Sequence, residues 1–280
     1  MNKKSLFDKV SVECSKITTL SYSTSFSLGI KMLSKKHQQA IYAIYGYVRF
    51  ADEIVDTFHE FNKNQLLNRF REDTITAIEE RISLNPIINA FQAVYHEYNM
   101  TWDLVDTFLK SMKMDLEEIS YNQDNYEEYI LGSAQVVGLM CLKVFTNGNQ
   151  NMYDELTPAA MRLGSAFQKI NFLRDLNADY KELGRVYFPN VDMQEFNWDT
   201  KKKIEDEIAE DFAVAYKGIL ALPKDSRYGV YLAYTYYLRL FDKIKGLEPD
   251  VVLNNRIRIA NPKKFALMFG SFLKHNFNML

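Results

Sequence analysis

Apolar side chains recur every three to four residues along nearly the whole chain, which is the period of an α-helix. Breaks in the pattern fall at turn signals such as Asn85-Pro86, Leu222-Pro223 and Gly246. The only strand-like piece, Arg185–Phe188, is too short to build a sheet. We therefore predict a single all-α domain over residues 1–280. The predicted helices cover about 3–20, 36–58, 63–83, 87–98, 102–119, 125–147, 151–179, 198–219, 225–246 and 262–277.

Composition narrows the class of protein. With 280 residues, 47% hydrophobic and a net charge of −2, the chain is typical of a globular protein and lacks the basic surplus of a nucleic-acid binder. Cys14 and Cys141 are too far apart for a CxxC pair, so neither a zinc site nor a disulfide framework is expected, and a reducing cytoplasm fits best. The longest uncharged apolar stretches are shorter than the roughly 20 residues of a membrane span, so none is predicted.

The first polar motif lies in the predicted helix 36–58. At about 100° per residue, Arg49, Asp52 and Asp56 fall within about 60° of one another, and Tyr45 lies on the same stripe. Glu53 points about 100° away from Asp52 and is expected to face elsewhere. The flanking positions are apolar, and carboxylates in such surroundings are costly unless a cation satisfies them.

The second motif lies in the predicted helix 151–179. Gln168, Asn171, Asp175 and Asp179 share an arc of about 80° among apolar neighbours. Carboxylate and amide oxygens suit a hard divalent cation, and Mg²⁺ usually leaves other positions to water and phosphate oxygens. A solvated acidic helix face remains the alternative for either motif taken singly.

Taken together, five blocks in order resemble the squalene/phytoene synthases, the head-to-head prenyl transferases, over essentially the whole chain. The blocks are Tyr22-Ser23-Thr24-Ser25-Phe26, Tyr45 with Arg49, Asp52 and Asp56, Tyr129 with Ala134, Val137 and Gly138, Gly164 to Asp179, and Gly184–Pro189. The resemblance implies one helical bundle around a deep apolar cavity, with aspartate pairs on facing helices at its mouth.

The resemblance also implies roles for individual residues. Mg²⁺, or Mn²⁺ instead, would be held against diphosphate by Asp52, Asp56, Asn171, Asp175 and Asp179. Diphosphate contacts are implied for Ser23, Ser25, Arg49, Gln168 and Arg174. Phe26, Tyr45 and Tyr129 would line the cavity and stabilise a carbocation, with Tyr129 counted among the catalytic residues. The C-terminal site residues of the family are matched loosely by Tyr237, Arg256 and Lys264.

Two positions depart from the family pattern. Tyr22 stands where the family often has His, so a diphosphate contact is either lost or replaced by the phenol. Gln135 replaces a Gly, which would narrow or polarise the cavity wall. Neither change touches the four aspartates.

The implied activity is Mg²⁺-assisted ionisation of a prenyl diphosphate. Two geranylgeranyl diphosphates would condense head-to-head to phytoene through a cyclopropylcarbinyl diphosphate, in carotenoid biosynthesis and without NADPH. The alternatives are a C30 synthase making squalene, hydroxysqualene or dehydrosqualene from farnesyl diphosphate, and a non-catalytic relative acting as an assembly protein. A cytoplasmic protein is expected, with peripheral membrane contact through the basic, apolar run 263–274 as a further option beside its role as a last core helix.

Overall fold

The computed structural model of the chain describes residues 3–117, 122–183, 187–189, 191 and 195–259, and it describes the side chains of 122–183 only as far as residue 177. Every regular element in this part is helical, which confirms the predicted all-α class. The elements are α1 (Lys3–Tyr22), α2 (Thr24–Lys31), α3 (Lys35–Asp56), α4 (Lys63–Glu80), α5 (Pro86–Glu97), α6 (Trp102–Met114), α7 (Gln123–Ile130), a π-helical segment (Leu131–Gln135), α8 (Val136–Phe145), α9 (Gln150–Leu183), α10 (Trp198–Ala221), α11 (Lys224–Lys245) and α12 (Pro249–Asn254).

Side-chain oxygens explain where several helices begin. Ser34 accepts a hydrogen bond from the backbone N–H of the third residue of α3, and Asn62, Asn122 and Asn197 do the same for α4, α7 and α10. Asn85 caps α5, where Pro86 occupies the first turn and needs no N–H partner. These caps account for the agreement between predicted and observed starts.

The structure differs from the predicted helices in four places. No helix is predicted between residues 20 and 36, but Ser23 caps the short helix α2 there by accepting a hydrogen bond from the N–H of Phe26. α12 was also missed. The predicted helix 125–147 is α7, the π-helical segment and α8 in succession, and the predicted end of α6 at 119 lies beyond its observed end at Met114. The predicted helix 262–277 and residues 185–186 of the strand-like piece lie outside the described residues.

Two apolar clusters form the interior. One is built on α3, α5, α6 and α8, where the rings of Tyr47 and Phe91 stack at 3.9 Å. The other is built on α9, α10 and α11, and includes Phe172 and Tyr187, stacked at 4.2 Å. α2 bridges the two because Gly229 of α11 permits its close approach; a Cβ there would lie 2.7 Å from a backbone oxygen of α2.

The helical stretch Gln123–Phe145 is long and apolar enough to cross a membrane by length and composition alone. It covers α7, the π-helical segment and α8. More than half of its apolar window, 56%, is buried inside the protein, and α8 belongs to the first apolar cluster. Its apolar character is therefore explained by packing within the bundle.

Candidate active site

A cavity of about 520 Å³ lies between α2, α3, α8, α9, α10 and α11. Charged and amide side chains meet at one end of it, which we call the polar end. The polar end consists of Arg49, Asp52, Gln168, Asn171, Arg174 and Arg256. The remaining wall is mainly apolar, and the turns farthest from the polar end contribute Leu33, Leu142, Phe145, Leu156 and Ile219. An apolar cavity with a few convergent polar groups is the usual form of a small-molecule site.

The directions of α3 and α9 set the shape of the cavity. Both helices bring their later turns to the polar end, while their earlier turns, with Ile41 on α3 and Leu156 on α9, line the apolar part. A rise of 1.5 Å per residue places Leu156 about 22 Å along α9 from Asn171. One wall of the cavity is therefore about 22 Å long, and the charged side chains lie at one end of it.

On α3, Arg49 lies between two carboxylates and an aromatic ring. Its guanidinium forms an ion pair with Glu53 and lies 3.9 Å from the Asp52 carboxylate. Glu53 is 8% exposed. Glu53 is not among the cavity-lining residues, in line with the expectation that it faces elsewhere, but it lies one turn after Arg49, where such pairs commonly form. The ring of Tyr22 packs 4.4 Å from the guanidinium carbon, so the phenol supports Arg49 by a cation–π contact.

Asp52 is in surroundings that oppose its charge. Burial, together with the negative charges of Asp56 and Asp115, raises its pKa to about 7, and Arg49 offsets only part of this. Asp115 follows α6 and lies outside every motif recognised in the sequence. Asp52 faces the cavity, whereas Asp56 is exposed at the end of α3 and is not among the lining residues. Around Asp52 itself, the carboxylates therefore outnumber the one nearby arginine.

On α9, the amide residues of the second motif form a connected set. The hydroxyl of Tyr237 on α11 donates to Oδ1 of Asn171 at 3.2 Å, and the Asn171 amide lies 3.5 Å from Oε1 of Gln168. Burial raises the pKa of Tyr237 to about 12, so its hydroxyl stays protonated and continues to donate. Tyr237 therefore fixes the orientation of the Asn171 amide.

Asp175 is neutralised by two arginines. Nε of Arg174 donates to it at 3.1 Å, and Nε of Arg256 lies 2.8 Å from Oδ1. The backbone N–H of Ile257 donates to the carbonyl of Arg174 at 3.3 Å, which holds the segment carrying Arg256 beside α9. The side chain of Asp179 and the whole of Lys264 lie outside the described residues.

Aromatic rings connect the two motifs. Phe26 on α2 has its ring centroid 6.0 Å from Tyr45, 6.2 Å from Phe167 and 5.8 Å from Tyr237. Burial raises the pKa of Tyr45, while its hydrogen bond with Ser23 and the charge of Arg49 act against the rise. Ser23 and Ser25 both line the cavity, and their contacts to diphosphate stay a prediction. These rings form the wall just inside the polar end.

The expectation that Tyr129 lines the cavity was wrong for the wall that the structure describes. Tyr129 is 5% exposed, and its ring packs against Phe172 and Tyr187. Its hydroxyl donates to Asp115 at 2.9 Å. Tyr129 therefore packs among these rings instead of lining the cavity, and its hydroxyl supports the carboxylate that raises the pKa of Asp52.

Gln135 also lies outside the lining residues. Its amide donates to the hydroxyl of Ser165 on α9 at 2.7 Å. Gln135 ends the π-helical segment, and the extra residue in that turn directs Ser133 and Ala134 to the cavity instead. The substitution for the family's glycine joins two helices rather than narrowing the cavity.

Comparison with known proteins gives the family. The family model for squalene/phytoene synthase matches residues 20–263, which is most of the chain. The chain belongs to the squalene/phytoene synthase family. It is 27% identical over 281 aligned positions to a phytoene synthase from Arthrospira platensis, covering 91% of this chain and 90% of the relative. It is 28% identical over 219 positions to a 4,4'-diapophytoene synthase from Staphylococcus haemolyticus, covering 75% and 73%.

Solved structures show the same fold. A crystal structure of a dehydrosqualene synthase with a bound ligand superposes with a TM-score of 0.80 at 21% identity, covering 96% of this chain and 98% of that one. A squalene synthase from Alicyclobacillus acidocaldarius gives a TM-score of 0.75 at 18% identity, covering 85% and 94%. The family is one of head-to-head prenyltransferases.

The donor set fits the divalent cation that this family implies. Within the described residues no three His, Cys, Asp or Glu side chains are grouped closely enough to hold a metal ion by themselves. The uncompensated negative charge around Asp52, together with the amide oxygen of Asn171, is nevertheless the chemistry that Mg²⁺ binds. A metal held here would therefore complete its coordination with oxygens of water and diphosphate.

Proposed function

We propose that this protein is a phytoene synthase, which condenses two geranylgeranyl diphosphates head-to-head. The observation that carries the proposal is the length of the apolar cavity behind the polar end. Carbon–carbon bonds near 1.5 Å make an extended geranylgeranyl chain about 19 Å long and a farnesyl chain about 14 Å. From Phe167, just inside the polar end, to Leu156 the wall runs about 16–17 Å along α9, which exceeds the length of a farnesyl chain, and the Arthrospira relative bears the name phytoene synthase.

The residues of the polar end account for ionisation of the substrate. Arg49, Arg174 and Arg256 donate charge-assisted hydrogen bonds to diphosphate oxygens and stabilise the negative charge of the leaving group. Mg²⁺ held by Asp52, Asp56 and Asn171, with Asp175 and Asp179 as the further expected ligands, would supply additional neutralisation of that charge when bound.

The wall protects the cation that remains. The faces of Phe26, Tyr45 and Tyr237 attract a carbocation near the polar end, and the apolar part excludes the water that would quench it. The double bond of the second substrate then attacks this cation, and loss of a proton closes the ring of a cyclopropylcarbinyl diphosphate. A second ionisation releases the second diphosphate, and the rearranged cation loses another proton to give phytoene. This sequence consumes no reductant, so NADPH is not required.

A C30 synthase is the second candidate. The Staphylococcus haemolyticus relative bears the name 4,4'-diapophytoene synthase and is as similar to this chain as the Arthrospira protein is. Two farnesyl chains would leave the deepest part of the cavity, around Leu156, unfilled. The chemistry at the polar end would be the same for both products.

Product analysis separates these candidates. The purified protein is incubated with Mg²⁺ and either geranylgeranyl or farnesyl diphosphate, without NADPH, and extracted hydrocarbons are identified by mass. A C40 product from geranylgeranyl diphosphate supports the proposal. A C30 product from farnesyl diphosphate alone would replace it with the second candidate. No product from either substrate, although the purified protein is folded, would favour a non-catalytic relative.

A further inference from the structure

Helix α1 presents its apolar residues outward. Leu6, Val10, Ile17 and Leu20 are 52%, 49%, 62% and 41% exposed. At about 100° per residue they lie within an arc of about 80°. Surface helices normally turn such an arc toward the core, so packing among the described residues does not explain it.

The opposite face of α1 is buried and consists of small polar residues. Ser11, Ser15 and Thr19 have no exposed surface, and they lie on the arc facing away from the apolar one. Their hydroxyls donate to carbonyls of the preceding turn of α1, which satisfies them. Ser15 packs where Gly46 of α3 has no side chain, since a Cβ there would lie 2.9 Å from that of Ser15. The reversed polarity is thus a stable arrangement.

The charges of α1 flank its apolar arc. Lys3 lies on one side of it and Lys9 and Lys16 lie on the other, each about 60–80° from Leu6. Within the arc, Glu13 is paired with Lys16 at 3.0 Å. With four lysines and two acids, α1 is net positive in a chain of net charge −2. Lysines beside an exposed apolar arc are typical of helices that lie on anionic lipid.

The C-terminal end of α1 leads directly to the cavity. Tyr22, its last residue, lines the cavity and packs on Arg49, and Ser23 follows in the wall. Leu20 is therefore within one turn of the polar end. A surface bound to the C-terminal end of α1 would therefore lie near the polar end of the cavity.

We propose that the outward face of α1 (Leu6, Val10, Ile17 and Leu20 with Lys3, Lys9 and Lys16) docks on an anionic lipid bilayer. The proposal rests on the proposed function for its purpose, because a bilayer is where prenyl chains and a hydrocarbon product partition. Its evidence is independent of that function: the reversed polarity, the flanking lysines and the position beside the cavity. The apolar side chains enter the acyl boundary while the lysines contact lipid phosphates.

Vesicle sedimentation tests the proposal. The full chain is mixed with vesicles of phosphatidylcholine with or without phosphatidylglycerol. The parent should bind the anionic vesicles more strongly. The double variant Val10→Gln, Ile17→Gln keeps helix propensity but removes apolar area, and its partition coefficient should fall about tenfold. Leu84→Gln removes an apolar side chain that is 91% exposed elsewhere and should leave binding unchanged.

Further measurements identify other occupants of this face and would overturn the proposal. A melting temperature several degrees lower in the double variant would mean that another part of the chain covers the face. A parent dimer that the double variant dissociates would mean that a second copy covers it. Equal vesicle binding by parent and double variant would exclude the bilayer. Product formation with detergent-solubilised substrate should be unchanged in the double variant, so loss of vesicle binding is distinguishable from failure of the proposed function.

Discussion

Replacing Asp52 by Asn should stabilise the metal-free protein while abolishing product formation. Its pKa is raised from 3.8 to about 7, chiefly by burial and then by neighbouring carboxylates. At about 1.4 kcal/mol per pKa unit, ionising this carboxyl costs up to about 4 kcal/mol of folding free energy. Because its side chain is 31% exposed, screening reduces the expected gain to about 1–3 kcal/mol.

The pH dependence gives the sign of the effect. A carboxyl whose pKa is raised in the folded state binds its proton more tightly there, so stability falls as pH rises from about 4 to about 7. Urea unfolding without Mg²⁺ should show parent and Asp52→Asn converging below pH 4 and separating up to pH 7. A difference that is absent, or equal at pH 4 and pH 8, would refute the reasoning.

Asp106 provides a control of opposite sign. Burial opposes its ionisation, but hydrogen bonds from Arg71 and Lys110 outweigh burial and lower its pKa. Asp106→Asn should therefore destabilise the protein at pH 8 and lose this effect as pH falls below 4. Asp106, Arg71 and Lys110 are not among the residues that line the cavity. The Asp106→Asn variant should therefore retain product formation at temperatures where it remains folded.

Three further changes test the site. Arg256→Gln should strengthen Mg²⁺ binding by the diphosphate-free protein two- to five-fold, as measured by calorimetry, because a half-exposed ion pair to Asp175 is worth at most about 1 kcal/mol. Unchanged affinity would exclude competition between the arginine and the metal. Tyr129→Phe removes a buried donor to Asp115 and should cost about 1–3 kcal/mol in urea unfolding; no loss would show that the hydroxyl is dispensable. Gln135→Ala should cost about 1 kcal/mol through its lost hydrogen bond to α9 and leave product length unchanged in mass analysis, whereas a longer product would place this side chain in the cavity.

The helices and the composition of the site could be predicted because both follow from local spacing. Periodicity predicted the long helices, and turn signals predicted the breaks between them. α2 was missed because a segment of eight residues is too short to show the helical period clearly. The ion pair between Glu53 and Arg49 could have been predicted, because residues four apart on a helix are neighbours on its surface.

Other contacts depend on tertiary structure and have no local signal. Arg256 reaches Asp175 only because the segment after α12 returns to α9, and no spacing predicts that approach. Asp115 follows a helix without any recognisable motif, yet its charge acts on Asp52. Tyr129 packs against Phe172 and Tyr187, which lie more than 40 residues later in the chain. Motifs thus indicated which residue types form the site, while long-range packing decided their partners.

The two aspartate motifs look equivalent in sequence, but the fold makes them electrostatically different. On α3, Asp52 faces other carboxylates, and most of the charge of Arg49 is taken up by Glu53. On α9, Asp175 has two guanidinium partners. A cation gains more from the uncompensated charge on α3, whereas on α9 it must first displace an arginine. Since the same arginines are suited to bind diphosphate, substrate binding would release Asp175. We therefore expect Mg²⁺ to bind more tightly when inorganic diphosphate is present. This gain in affinity should be smaller in Arg256→Gln, because that variant has already lost one of the two competing ion pairs.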